Sequence, residues 1–485
     1  MNNLEGKLME FKLDEDIVLF AVERARALGA EYAEARLQRD SVKSYIVRNG
    51  VPEAIGISED IGIGIRVLIN GALGFASTDR WNDKKAIEEI INDAVKMAKA
   101  QGLGEERLSE EVSHKDKVFV EPKIDPENID ASEKFNLLME LDKTLQTAHE
   151  KAKFPNRFLH LQERLTQKVF ANSEGTLIVS SVPRIRFMTF FVTAVDGKFD
   201  TRFVDKGEAR GWEAIRDWNL DDLLKREGES LARVLIEGKE PPEGVIDVVL
   251  GTEVSALSAH EAVGHPYEAD RILGREGAQA GESFVDPDML GMKVGNDVLT
   301  VIDDPTIPNS FGFYLYDEEG VKARPRHLIK NGVITEFLHN RETAAKFGVK
   351  SNGAARASNY NREPIVRMAN TYIAAGDMTF EELIEDIKLG VYIKTFGEWN
   401  IDDLRYNMRF VGKESWLIEN GQLKHLVRNP ILEITTPAFY KSIDAVDKNL
   451  EFYSATCGKG DPGQGVPVFT GGPNVRLRNI RVLKR

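Results

Sequence analysis

The sequence predicts an α+β protein of two domains, with mixed and antiparallel sheets flanked by helices. Three observations carry that expectation. A chain of 485 residues is too long for one ordinary hydrophobic core. Runs of alternating apolar residues recur between turn residues, and stripes of helical period interrupt them. A polar, proline-bearing link, Glu237 to Gly244, divides the chain into an N-terminal part, 1–237, and a C-terminal part, 245–485.

Taken in order, Ile17, Phe20, Ala21, Val22, Ala25 and Leu28 form a helical stripe from about Asp14 to Leu28, stopped by Gly29. Strands are expected over Tyr32 to Gln38, Ser41 to Arg48 and Ile61 to Ile69, leading to Gly74-Phe75-Ala76. Helices over about Lys84 to Ala100 and Ala131 to Lys151 flank a connection near Glu121 to Pro126. A β-rich meander fills Arg157 to Arg210, with turns at Asn172-Ser173-Glu174-Gly175 and Asp196-Gly197. A helix over Leu223 to Ile236 closes the first part, which is expected to shape substrate access or an oligomer contact. The second part opens on a buried strand, Val245 to Leu250, and a helix through Val254, Leu257 and Ser258, capped by Thr252 or Ser255, that runs into His260.

That helix ends in His260-Glu261-Ala262-Val263-Gly264-His265. In an H-E-x-x-H helix the histidines, four residues apart, lie about 40° apart around the axis. Five residues put them about 140° apart, too far to share an ion on a regular helix. A π-type turn restores the common face, Gly264 is suited to admit it, and Pro266 forbids the helix from continuing normally. Two imidazoles there suit a catalytic Zn²⁺, which takes three protein ligands and activates a water, with Glu261 as the general base. The third ligand must come from elsewhere. The single cysteine, Cys457, stands in the glycine-rich segment Thr456 to Gly465, where the backbone can approach a metal or substrate closely. The competing reading is a chance motif and a buried apolar cysteine.

Composition narrows the class. Hydrophobic residues make up 42% and charged residues 29%, as in a globular protein. Sixty-four basic against 78 acidic side chains leave a net charge of −14, which argues against nucleic-acid or anionic-membrane partners. The first residues show no export signal, no apolar run approaches membrane-spanning length, and one cysteine suits a reducing cytoplasm.

Six segments together resemble the TldD branch of the TldD/PmbA family of zinc metallopeptidases over nearly the whole length. They are HEAVGH, the DEEG segment at Asp317, HNRETA at His339, SNGAARASNY at Ser351, PIVRMAN at Pro364 and CGKGDPGQG at Cys457. The resemblance implies one Zn²⁺ per chain on His260, His265 and Cys457, with Glu261 catalytic. It implies unfolded or short peptides as substrates, or a part in peptide maturation. It also implies a homodimer or a heterodimer with a PmbA/TldE-type subunit, a branch that lacks the complete metal motif. Dipeptidyl peptidase III shares the H-E-x-x-G-H spacing but takes a downstream glutamate as third ligand, for which Glu342 or Glu382 would have to serve.

Other polar residues are candidates for the site. Tyr360 is the candidate oxyanion donor. Arg356 and the backbones of Gly458 and Gly460 are candidates for substrate binding, the glycines by pairing with an extended peptide. Arg367 and Asn370 serve either the site or loop anchoring. Asp317, Glu318 and Glu319 are read as acceptors that orient a metal-bound histidine, or as solvated turn residues. Two further readings stay open, a non-catalytic peptide-binding subunit with structural zinc and a metal-free assembly scaffold.

Overall fold

The computed structural model describes residues 13–276 and 281–484; the segment read for an export signal falls largely in 1–12, outside the described residues. The first helix is Glu15–Ala27, opened by the Asp14 carboxylate accepting the Asp16 N–H at 2.9 Å. Beyond it lies one seven-stranded sheet. Its order is Ala72–Thr78, Val51–Ile69, Tyr32–Arg48, Lys153–Asn172, Leu177–Val195, with Lys115–Phe119 parallel and Lys198–Glu208 antiparallel to the last.

The two expected strands at 32–38 and 41–48 are one continuous strand. The Arg39-Asp40 pair breaks the apolar alternation in sequence, but Asp40 is buried and accepts from Arg164 Nε at 2.8 Å, Thr166 Oγ1 at 2.6 Å and Gln38 Nε2 at 2.6 Å. A buried carboxylate so fully bonded is compatible with the middle of a strand. Such long strands carry two cores on one sheet. Glu15–Ala27 and Lys84–Ala100 pack on Leu37, Ile63, Ile65 and Val67. Ala131–Gln146 and Leu220–Glu237 pack around Leu159, Phe187 and Phe191. The helix expected to reach Lys151 therefore stops at Gln146. Asp196 and Gly197, at φ +48° and +77°, make the expected tight turn.

The C-terminal half holds two main sheets. In the nine-stranded one, Gly244–Leu250 lies between Leu389–Ile393, parallel, and Val475–Leu483, antiparallel. The six-stranded sheet runs Val333–Ile334, Arg326–Lys330, Val301–Asp303, Asn370–Ile373, Gln464–Gly472, Glu451–Lys459, so that Glu451–Lys459 is an edge strand. The main apolar core of this half includes Val248, Val254, Val301, Phe337, Val468 and Leu477, and a smaller one gathers Val249, Leu383, Ile387 and Ile418.

Buried ion pairs join the halves. Arg66 binds Glu34 at 2.9 Å and Glu319 at 2.5 Å, Glu318 takes Lys168 at 2.5 Å and Arg36 at 3.4 Å, and Arg341 donates to the Ser109 carbonyl at 2.6 Å. Asp317 accepts the backbone N–H groups of Glu319, Val321 and Ala355 at 2.9–3.1 Å. None of these three acids is a solvated turn residue, and their hydrogen bonds go to this junction rather than to a histidine.

Candidate metal centre

The Gly244–Leu250 strand feeds the helix Thr252–Ala259 directly. Its N-cap is Gly251, where a Cβ would stand 2.5 Å from the Lys394 carbonyl, so neither Thr252 nor Ser255 caps it. Ser255 Oγ bonds the Pro473 carbonyl at 2.5 Å and Thr252 Oγ1 meets Tyr453 Oη at 2.6 Å, which ties the helix to the six-stranded sheet. After Ala259 the chain widens into a π turn over His260–Gly264, then tightens into a 3₁₀ turn over His265–Tyr267. The spacing of five required this. Gly264 is needed for close approach rather than for an unusual φ, since a Cβ there would lie 1.8 Å from Met368 Sδ.

The two imidazole centroids are 4.9 Å apart, at 80° to each other. From the edge strand Glu451–Lys459, Cys457 brings Sγ to 3.5 Å from His265 Nε2. Donor atoms of His260, His265 and Cys457 all lie within 4.8 Å of one another, and all three residues are buried. Arg367, fully buried, braces that strand by donating to the carbonyls of Cys457 and of Gln464, the latter at 2.8 Å.

Burial holds both histidines below their ordinary pKa, against the opposing pull of the neighbouring acidic groups. Burial also pushes the Cys457 thiol up, but the His265 and Arg367 charges and the His265 hydrogen bond outweigh it and bring it down to about 7. The opposite ring nitrogen of His265, Nδ1, meets Glu268 Oε2 at 3.0 Å. Glu268 is fully buried, 2.7 Å from Arg271 Nε and 3.3 Å from Lys459 Nζ. Its burial raises the carboxyl pKa, yet those cations and His265 hold it well below the usual range. It is thus the carboxylate that fixes the His265 tautomer. Sequence reasoning missed Glu268, Arg271 and Lys459; the signal was the three-residue spacing from His265, masked by Pro266.

A cavity of about 1280 Å³ opens between the halves onto His260, Glu261, His265, Cys457 and Gly458, with Arg202 and Phe203 contributed by the N-terminal half. The remaining candidates lie away from it. Arg356 is committed to the Met368 and Pro467 carbonyls at 2.7 and 2.9 Å, and Tyr360 packs where a Cβ on Gly62 would fall, 2.3 Å from its ring. Gly460, at φ +90°, belongs to the turn after the edge strand. Asn370 anchors loops through the Asp304 carbonyl and Ser310. Glu342 pairs with Arg275, and Glu382 closes the capping box of Phe380–Ile384, so neither is the third donor.

The chain is similar to known proteins over most of its length. Three models match in succession, PmbA/TldA metallopeptidase domain 1 at 33–98, the central domain at 124–237 and the C-terminal domain at 243–484. A Methanothermobacter thermautotrophicus metalloprotease is 33% identical, covering 93% of this chain and 95% of that protein. The chain belongs to the TldD/PmbA metallopeptidase family. Within it, a protein named zinc metalloprotease TldD homolog, from Saccharolobus solfataricus, is 27% identical over 95% of this chain and 98% of its own. The fold is shared with a Thermotoga maritima crystal structure described as a modulator of a DNA gyrase (TM-score 0.77, 18% identity, 97% of this chain and 100% of that one). For this TldD-type chain a His₂Cys donor set fits a borderline-soft ion such as Zn²⁺, and the buried His260 Nδ1 has no hydrogen-bond partner among the described residues. Among the described residues, no helix is long and apolar enough to cross a membrane.

Proposed function

We propose that this TldD-type chain is a zinc-dependent peptidase that hydrolyses peptide bonds in unfolded or short peptides. The observation that carries the reading is the sheet-edge strand Glu451–Lys459, which carries Cys457 and lines the cavity beside His260, Glu261 and His265. An extended peptide can add to that edge through its backbone, with Gly458 offering no side chain in the way. Recognition of that kind tolerates many side chains but excludes a folded substrate.

His260, His265 and Cys457 would hold one Zn²⁺, whose Lewis acidity activates water and polarises the scissile carbonyl. Glu261 takes the proton of the attacking water as its oxygen bonds the carbonyl carbon. It then delivers that proton to the amine nitrogen as the C–N bond breaks. The proposal extends to a cytoplasmic protein working as a homodimer or beside a PmbA/TldE-type subunit.

The test is zinc content and cleavage of an unfolded peptide by wild type, Glu261→Gln and Cys457→Ala. The expected pattern is about one zinc per chain in wild type and Glu261→Gln, none in Cys457→Ala, and cleavage by wild type alone. Zinc without cleavage, even with a TldE-type partner added, favours a structural metal; metal-replete wild type without zinc overturns the reading.

A further inference from the structure

Ten described residues other than glycine have positive φ, and eight are Asn and one is Asp; the tenth is Arg405, at φ +63°. Asn and Asp tolerate this region, whereas a long side chain is strained there, and such strain gathers at functional sites. Arg405 sits in the turn between the strands Phe396–Ile401 and Asn407–Gly412. Its N–H donates to the Asp402 carbonyl at 2.9 Å, and its own carbonyl accepts from Thr436 Oγ1 at 2.6 Å. Asp402 further accepts from the Tyr406 N–H at 2.7 Å and Asn407 Nδ2 at 2.6 Å. The turn is braced on several sides, and an Asn or Gly would occupy it without strain. What Arg405 adds is its guanidinium, with Nη1 2.8 Å from Glu261 Oε2. Both side chains are nearly buried, and among the described residues no second hydrogen-bond partner reaches the Glu261 carboxylate.

Glu261 follows His260 directly, yet its oxygens are not among the donor atoms that converge with His265 and Cys457. A nearly buried carboxylate beside a divalent cation has a strong reason to become a ligand itself, and zinc accepts carboxylate readily. A fourth protein ligand would close the site, since a catalytic centre keeps one position open. We propose that Arg405 is a positioning residue that tethers Glu261 outside the donor set and so keeps that position free. The inference rests on the metal reading of the same site.

Co²⁺ serves as probe, with affinity read by chelator competition and visible absorption read with and without azide. The variants Arg405→Asn and Arg405→Gly suit the positive φ and are verified as folded by melting of the metal-free protein. Both are expected to bind Co²⁺ about tenfold more tightly, with shifted visible bands that azide no longer perturbs. Adding Glu261→Ala should return affinity and azide response to the wild-type range, and Arg405→Lys should fall between. Unchanged or weaker Co²⁺ binding in both folded variants, with azide still acting, overturns the tether. If wild type binds Co²⁺ but cuts no peptide, the peptidase reading fails while the affinity comparison still decides the tether; if wild type binds no Co²⁺, both fall.

Discussion

Two buried acidic clusters behave differently in this protein. At the junction between the halves, Asp317, Glu318 and Glu319 direct their carboxylates onto backbone N–H groups, Lys168, Arg36 and Arg66, and none of their oxygens is left unpaired. Around the paired histidines, His260 Nδ1, Glu268 Oε1 and Arg405 Nε are buried without hydrogen-bond partners among the described residues, as are Arg36 Nε, Arg66 Nε and Arg341 Nη1 on the basic side of the junction. Unsatisfied buried polar atoms are costly, and at the histidines they include a ring nitrogen able to offer its lone pair to a metal, whereas those at the junction are guanidinium nitrogens. Saturation at 317–319 marks a fastener.

The sharpest test sets one cluster against the other. Arg66→Met strands Glu34 and Glu319 together without their cation, and breaking a buried pair in this way costs roughly 3–5 kcal/mol. Denaturant melting should show that loss while zinc stoichiometry in the folded protein stays unchanged. Glu268→Gln should do the reverse. It removes the acceptor of His265 Nδ1, and loss of such a partner typically weakens metal binding about 10–100-fold. Equal metal affinity in Glu268→Gln and wild type would break the assignment of this cluster to the metal.

Acid should separate the clusters as well. With the Cys457 thiol brought down to about 7 and both histidines held below their ordinary range, the thiol is the ligand that protons contest in this window. Metal must displace that proton below pH 7, so affinity should fall about tenfold per unit there and level off above it. The sign follows for the metal-free fold. A depressed thiol pKa contributes stability that is fully present above the unfolded thiol's range and is lost as pH falls through about 7. Chelator competition between pH 5.5 and 8.5, set as roughly three units around that value, checks the slope; a flat profile would remove the thiolate from the ligand set.

Local constraints were legible in the sequence, and distant ones were not. The five-residue histidine spacing, Gly264 and Pro266 together demanded a π turn, and the structure has one at His260–Gly264. Periodicity found the helices Lys84–Ala100 and Leu220–Glu237 to within a few residues. Cys457 stood out as a lone thiol among glycines, although its place beside His265 depends on a strand 192 residues away in sequence. The single long strand Tyr32–Arg48 was hidden because Asp40 looks like a turn residue until Arg164 and Thr166 arrive from the neighbouring strand. Glu268 was overlooked because Pro266 reads as the end of order, while the 3₁₀ turn that follows aims the carboxylate back at His265.

Tyr360 shows the same limit from the other side, and it gives the smallest effect. A tyrosine in a polar segment near the metal motifs is chemically fit to donate to an oxyanion. Its segment, however, is claimed by the N-terminal half: Arg36 donates to the carbonyls of Asn359 and Arg362 at 2.9 and 2.8 Å, and Asn359 Nδ2 bonds Asp60. The ring lies flush on Gly62, and burial with the nearby Asp60 and Asp79 charges pushes the phenol above its ordinary pKa. Tyr360→Phe keeps the ring and its packing, so stability should change by no more than about 1 kcal/mol, and peptide cleavage should be unaltered. Gly62→Ala, whose new methyl would fall inside the Tyr360 ring, should destabilise more than removal of the hydroxyl does. A large loss of turnover in Tyr360→Phe with an unchanged melting profile would move this residue from the fastening of the halves back to the chemistry.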